Sequence, residues 1–340
     1  MDRQMKKWLL VAIVAVVGAV LVACGNDDVK TASGEKGDTV IKYQQAKGTV
    51  YPAELAADLG YLEGITLESV GDFKGGTESV QFTGTGEVDL GNSFSGAVVK
   101  AYSKNVKLKS VIGYYGSDDV TNIAAYTVEG SDIKSAKDLI GKKVGVNILG
   151  AHFELAVKGY LKQGGLTDKE IKSVQLVTMP MTSAEQSLRA GQLDVALLMG
   201  TAKDIAVERG GVTELFVDTD VIGHSFTAGN YFFREDYVKE NPDVIKTFVE
   251  GVAKAIEWSR ETPLEEVIAR MEKIITERDP NESIETVKFW KSFGVANEGG
   301  VIQEKEMQMW VDWLVQNGDL KEGQLQATDL YTNEFNPYAK

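Results

Sequence analysis

Beyond position 39 two hydrophobic patterns alternate along the chain: compact apolar runs, and longer stretches in which apolar residues recur at helical spacing. The first pattern predicts strands and the second amphipathic helices. Strands are expected at 40–43, 65–69, 88–91 and 108–114, with helices at 52–60, 77–83 and 95–103 between or after them. A strand at 123–128 leads into a second series, with strands at 143–146, 174–177 and 195–198 and helices at 152–163 and 183–190. A strand at 228–233 closes it, and the remaining carboxyl-terminal stretch reads as helical, at 244–260, 264–277, 283–293 and 305–317. Pro52 and Pro242 suit first-turn positions, where a missing N–H costs nothing. Such alternation predicts the α/β class built on βα units and a mostly parallel sheet. Two series joined at 123–128 and re-entered at 228–233 predict two lobes, one of residues 39–122 with 228–340 and the other of 123–227. Two crossings would leave a cleft between them, where a small ligand binds.

The amino terminus follows a different rule. Arg3, Lys6 and Lys7 precede an apolar run at 8–23 that ends in Leu21-Val22-Ala23-Cys24, and Cys24 is the only cysteine of the chain. The run falls short of the roughly 20 residues a spanning helix needs, and a small residue before a thiol is what lipid transfer and cleavage require. The leader, 1–23, resembles a bacterial lipoprotein signal, which would make Cys24 the acylated first residue of the mature chain. Residues 24–38 have little to bury and read as a flexible tether of about 20 Å end to end. The expected location is the extracytoplasmic face of the cell membrane, held by the lipid on Cys24.

Charge narrows the field. Thirty-six basic residues stand against 50 acidic ones, a net charge of −14, and losing the leader's three bases and one acid takes it to −16. Such a balance opposes nucleic acid and anionic lipid as partners. With Cys24 acylated no thiol remains for a disulfide, a thiolate metal site or a nucleophile, and His152 and His224, the two histidines, are too far apart in sequence to give metal-ligand spacing. No metal or cofactor is expected.

Five predicted strand ends run through small or polar residues into a helix start: Ala46-Lys47-Gly48-Thr49, Lys74-Gly75-Gly76-Thr77, Asn92-Ser93-Phe94-Ser95, Ile148-Leu149-Gly150-Ala151-His152 and Met199-Gly200-Thr201. Strand carboxyl ends line the ligand crevice of open α/β sheets, and unpaired helix-start amides attract anions or carbonyl oxygens. One such loop is an ordinary helix cap; the convergence of five points to binding. No arginine lies in any of them, so a bidentate fork for a doubly charged oxyanion is not evident. His152 reads either as a donor to an anionic ligand or as a cap histidine, and His224 as a hinge or structural residue. Tyr114 and Tyr115 read either as a stacking surface for a ligand or as a core pair.

Several strings carry a family likeness: Gly75-Gly76-Thr77-Glu78-Ser79-Val80, Gly86-Glu87-Val88-Asp89-Leu90-Gly91-Asn92, Asp138-Leu139-Ile140-Gly141-Lys142-Lys143-Val144-Gly145-Val146 and Ala190-Gly191-Gln192-Leu193-Asp194-Val195-Ala196. Phe233-Arg234-Glu235-Asp236-Tyr237, Asn241-Pro242-Asp243-Val244 and Asp329-Leu330-Tyr331-Thr332-Asn333 add to it. In order along nearly the whole mature chain, these strings resemble the sulfonate/nitrate/taurine solute-binding proteins of ABC importers, a group that is also thiamine-pyrimidine-like. The resemblance implies a two-lobed periplasmic-binding-protein type II fold with two crossover strands, a monomer that takes no cofactor, and delivery of a small solute to a membrane permease. It also implies ligand contacts from Gln44, Gly76, Thr77, Asn92, Ser93, Phe94, Ser95, Gly150, Ala151 and His152, to which the loop reading adds Gly200 and the stacking reading Tyr114. Met199-Gly200 departs from relatives that take sulfonates, which argues against a taurine-like ligand.

Enzyme readings fare worse. Gly91-Asn92-Ser93-Phe94-Ser95 nearly repeats the G-x-S-x-G nucleophile turn, but Ser95 replaces the second glycine. A serine hydrolase at Ser93 stays as an alternative, as does a pyrimidine synthase of thiamine biosynthesis, which shares the fold. The synthases resemble single-turnover enzymes with a histidine and a cysteine-rich iron site, and the mature chain has no free thiol to supply one.

Overall fold

The computed structural model describes residues 38–340, so the leader and all but the last residue of the tether lie outside the described residues. Ten strands form three sheets. Strands β1 (Thr39–Gln45) and β2 (Ile65–Asp72) pair in parallel. Strand β10 (Phe226–Arg234) lies between β3 (Gly91–Phe94) and β4 (Leu108–Ser117), antiparallel to both. The third sheet runs β7 (Gln175–Thr178), β6 (Lys143–Val146), β8 (Val195–Met199), β5 (Ile123–Val128), β9 (Val212–Val217). Here β6 is parallel to β7 and β8, whereas β5 is antiparallel to β8 and β9. The expected mostly parallel sheet is therefore mixed: β5 and β10 arrive from the other half of the molecule and enter their sheets from the opposite direction.

Two lobes result from this topology. The smaller sheets and helices α1 (Pro52–Asp58), α2 (Gly76–Thr85) and α3 (Ser95–Ser103) form one, joined by the carboxyl-terminal helices α9 (Glu235–Glu240), α10 (Pro242–Glu261), α11 (Leu264–Arg278) and α12 (Glu304–Gln316). The five-stranded sheet carries α4 (His152–Gln163), α5 (Asp168–Ser173), α6 (Met181–Arg189), α7 (Gly200–Glu208) and α8 (Asp218–Ile222). Helix α10 shows why the first lobe coheres: Ile245, Phe248, Val249, Val252 and Ile256 lie on one stripe and are buried in the core with Ile41, Leu55, Ile112 and Phe233. The second lobe has its own core around Ile123, Val144, Phe153, Val157 and Leu197.

Two departures have physical causes, and a third is a set of short elements. Strand β3 starts at Gly91 rather than 88 because Val88 and Leu90 are buried as the approach to it, with the Leu90 amide donating to Lys42 O at 3.1 Å. Residues 283–293 are not a helix: only Val287–Phe289 makes a 3-10 turn. Tertiary tethers win there, since Thr286 Oγ1 donates to Gly48 O at 2.6 Å, Ser292 Oγ to Asp118 Oδ2 at 2.7 Å, and Lys291 Nζ pairs with Asp204 at 2.5 Å. Strand β9 and the short helices α5, α8 and α9 were not expected, although Thr167 and Glu170 form the capping box that opens α5.

Candidate ligand-binding cleft

All five helix-start turns border one cavity of about 1230 Å³. Helix starts border it from both lobes, among them those of α2 and α3 from one and of α4 and α7 from the other. Their N-caps are Gly75, Phe94, Ala151 and Met199, and none supplies a side-chain cap. First-turn amides without an intrahelical acceptor are thus presented to the cavity from both sides, where they favour anions and carbonyl oxygens.

Of the expected contact residues, Gly76, Thr77, Ser93, Phe94, Tyr114, Ala151, His152 and Gly200 line the cavity. Gly76 is required by close approach, because a Cβ there would overlap Ser93 Oγ. Ser93 Oγ is buried with no hydrogen-bond partner among the described residues, which leaves it free to bond a ligand. Gln44, Asn92, Ser95 and Gly150 stand behind the wall instead. Gln44 Nε2 donates to Glu78 at 3.0 Å and orients that lining carboxylate. The Asn92 amide donates to Ser79 Oγ at 3.0 Å. Ser95 Oγ donates to Ala228 O at 3.2 Å and accepts from Asn230 Nδ2 at 2.9 Å, tying α3 to β10. The Gly150 amide donates to Glu154 Oε2 at 2.5 Å.

His152 is 4% exposed, with Nε2 2.9 Å from Oδ2 of the fully buried Asp218 and its ring edge-on to Phe226. Asp218 also accepts from Ser117 Oγ at 2.6 Å and from the Ile123 amide at 3.2 Å. His152 thus borders the cavity while belonging to the junction of the two lobes. His224 is exposed and its Nδ1 approaches only the neighbouring Ser225 O, at 2.9 Å.

Tyr114 packs on Tyr115 and Tyr231 at 4.9 and 4.8 Å and also borders the cavity. Burial pushes the Tyr114 and Tyr115 hydroxyls above their ordinary range, and that of Tyr51 up to about 12. They remain neutral at physiological pH.

Sequence reasoning missed the strap at 283–293, which brings Thr286, Phe289, Trp290 and Phe293 to the wall. It also missed Lys203, the fourth residue of α7, which is 8% exposed and donates from Nζ to Asn122 Oδ1 at 2.7 Å. One signal was available: a lysine so close to a helix start opposes the macrodipole. Among the described residues no arginine lines the cavity.

The family model described as NMT1/THI5 like matches residues 50–266, well over half of the chain. The chain belongs to the NMT1/THI5-like family. Among curated proteins it is similar to a provisionally named binding protein of Brucella abortus (strain 2308), 25% identical over 199 residues, which are 57% of this chain and 58% of that protein. Among solved structures this NMT1/THI5-like fold superposes on the periplasmic aliphatic sulphonate binding protein SsuA of Escherichia coli with a TM-score of 0.66, at 18% identity over 86% of this chain and 91% of that one. The periplasmic nitrate-binding protein NrtA of Synechocystis PCC 6803 gives 0.65, at 13% identity over 88% and 87%. The desulfurization enzyme DSZB gives 0.59, at 15% identity over 87% and 97%. These likenesses establish the two-lobed periplasmic-binding-protein fold. Among the described residues no helix is long and apolar enough to cross a membrane.

Proposed function

We propose that this NMT1/THI5-like chain is the extracytoplasmic receptor of an ABC importer, closing its lobes over a small organic anion and delivering it to a membrane permease. One observation carries the reading: helix starts without side-chain caps, from both lobes, border the same cavity. A guest held by both sets of amides is bound better when the lobes are shut than when they are apart, which is what couples ligand to closure. Names of the structural relatives, sulphonate- and nitrate-binding, support an anion. The lobes are assigned to 39–122 with 228–340 and to 123–227, the solution state to a monomer, and the attachment to a lipid on Cys24.

We infer that the chain is not an enzyme. Ser93 Oγ, the candidate nucleophile, bonds no base, and the hydroxyl of Ser95 in the same turn is committed to Ala228 O. The test is a thermal-shift screen over sulfonates, nitrate, carboxylates, pyrimidines and aromatic acids, in which a true solute at 100 times its Kd stabilises by about 2.7 kcal/mol. Simple esters are assayed in parallel: hydrolysis lost in Ser93→Ala, with no shift from any solute, replaces the receptor by a hydrolase.

A further inference from the structure

Among the described residues Lys203 is a buried lysine with no carboxylate in hydrogen-bond or ion-pair contact, although Asp204, Glu214 and Asp218 lie near enough to act on its charge. Its side chain borders the cavity, and its direct partner among the described residues is a neutral amide oxygen, that of Asn122. Asp204, the next residue, is already paired with Lys291 at 2.5 Å, and Asp218 faces His152. An ammonium has three donors, so two of those of Lys203 have no partner among the described residues. A charge withdrawn from water without a counter-ion is costly to the fold. Burial accordingly pushes Lys203 below the ordinary lysine range. The cost is relieved when an anion arrives from outside the chain.

The rest of the cavity limits that anion. Four lysines line it, Lys47, Lys74, Lys203 and Lys291, against four carboxylates, Glu78, Asp204, Asp279 and Glu282. Lys47 is paired with Asp72 at 3.0 Å and Lys74 is exposed, so neither offers a buried second charge. A dianion would leave one of its charges facing carboxylates. Aromatic rings form two stretches of the remaining lining, beside aliphatic residues such as Val50, Ile148 and Met199. Tyr51, Phe73, Tyr114 and Tyr115 line one side, with Tyr51 edge-on to Phe73 at 6.3 Å and to Tyr114 at 5.4 Å. Trp290 and Phe293, 5.2 Å apart on the strap, flank the Lys291 that holds Asp204 beside Lys203. Flat rings stacked or set edge-on to such walls gain more than saturated chains of the same area.

We propose, resting on the receptor reading above, that the solute is a planar aromatic monoanion whose charge sits on Lys203 Nζ and whose ring packs between the two aromatic walls. Lys203 sets the charge the cleft accepts, and the walls set the shape.

The test measures calorimetric affinity at neutral pH for benzoate, 2-naphthoate and indole-3-acetate, with 2-naphthamide as neutral isostere, naphthalene-2,6-dicarboxylate as dianion, and cyclohexanecarboxylate, methanesulfonate and nitrate as non-aromatic anions. The best aromatic monoanion is expected to bind at least tenfold tighter than the amide, the dianion and the non-aromatic anions. In Lys203→Met that monoanion loses at least tenfold, the amide is unchanged, and the ligand-free melting temperature does not fall. Asn122→Asp places a carboxylate on the ammonium and should weaken the monoanion similarly while sparing the amide, so the idea stays testable if the methionine variant misfolds. Equal affinity for amide and naphthoate, or unaltered monoanion binding in both variants, overturns the proposal. Binding of nitrate or methanesulfonate alone overturns it while leaving the receptor reading intact; silence from every compound in this set and in the wider solute screen removes both.

Discussion

Replacing Arg278 by leucine is expected to be the most damaging single change at the lip of the cleft. Its side chain is 12% exposed and ends α11 among two carboxylates that are more buried still, Glu54 at 6% and Glu282 at 3%. Nη1 meets Glu54 Oε1 at 2.7 Å, and Nη2 donates to Thr49 O at 3.1 Å and Ala46 O at 3.2 Å. One guanidinium therefore neutralises the base of α1 and fixes the Ala46–Thr49 turn. Removing one partner of a buried pair costs about 3–5 kcal/mol because the other charge is stranded. At about 2–4 °C per kcal/mol for a large domain, the melting temperature should fall by roughly 6–20 °C in differential scanning fluorimetry. Arg270→Leu is the internal control. Its partner Asp58 keeps Lys273 at 2.8 Å, so that loss should stay below about 1 kcal/mol. The pH dependence adds a second check. Burial already holds the Glu54 carboxyl above the usual carboxylate range, and without Arg278 it rises further. A carboxyl whose folded pKa exceeds its unfolded one binds more protons in the fold, so stability falls as pH rises through that window. The Arg278→Leu deficit should therefore be full above that window and narrow as pH falls through it. Adding Glu54→Leu should restore about half of it, since Glu282 still lacks its guanidinium. Equal losses in the two single variants, or a deficit flat across pH, would refute the reasoning.

Two further outcomes are expected. Asp204→Asn breaks the half-exposed Lys291 pair that holds the strap to α7, worth about 0.5–1 kcal/mol, so solute affinity should drop about two- to fivefold with a larger radius of gyration by small-angle scattering; an unchanged radius and affinity would show that the strap does not hold the closed form. Cys24→Ser should move the expressed protein from the membrane to the soluble fraction and abolish labelling by a palmitate analogue; continued membrane retention and labelling would place the anchor elsewhere.

Element positions were legible wherever a run or stripe of apolar residues had a single explanation. Helices α3 and α4 and strands β5 and β6 fall on their expected residues, and the order of the two series anticipates the two lobes. Strand direction was not legible, because periodicity reports which face is buried and not which way a neighbour runs; β5 and β10 are antiparallel through chain routing. The stretch at 283–293 has helical spacing in Val287, Trp290 and Lys291, yet Thr286, Lys291 and Ser292 are each held by a different segment far away in sequence. No local pattern encodes that. At the site, the turns were found because glycines and hydroxyls before a helix start have a local signature. Whether Gln44, Asn92, Ser95 and Gly150 border the cavity directly, and that Lys203 does, was not legible, because position along a wall depends on packing.

Asp218 connects these pieces. Its carboxylate accepts from Ser117 at the end of β4 and from Ile123 at the start of β5, the two sides of the first crossing, and it stands itself on α8 just before the return into β10. Through His152 it also reaches the first residue of α4, whose amides border the cavity. Rotation of one lobe against the other therefore cannot be absorbed at that carboxylate without breaking several buried polar contacts at once. The give is left to the intervening residues 118–122 and 219–225, where Asp118 Oδ1 accepts from the Val120 and Thr121 amides and Ser292 ties the strap to the same turn. The strap is fastened to the Gly48 turn and to Asp118 in one lobe and to Asp204 in the other, so it bridges the two. Phe293 O also accepts from the Gly116 amide of β4 at 3.1 Å, so the strap stays with the tyrosine wall, and a change in the angle between the lobes would fall on the Lys291–Asp204 pair.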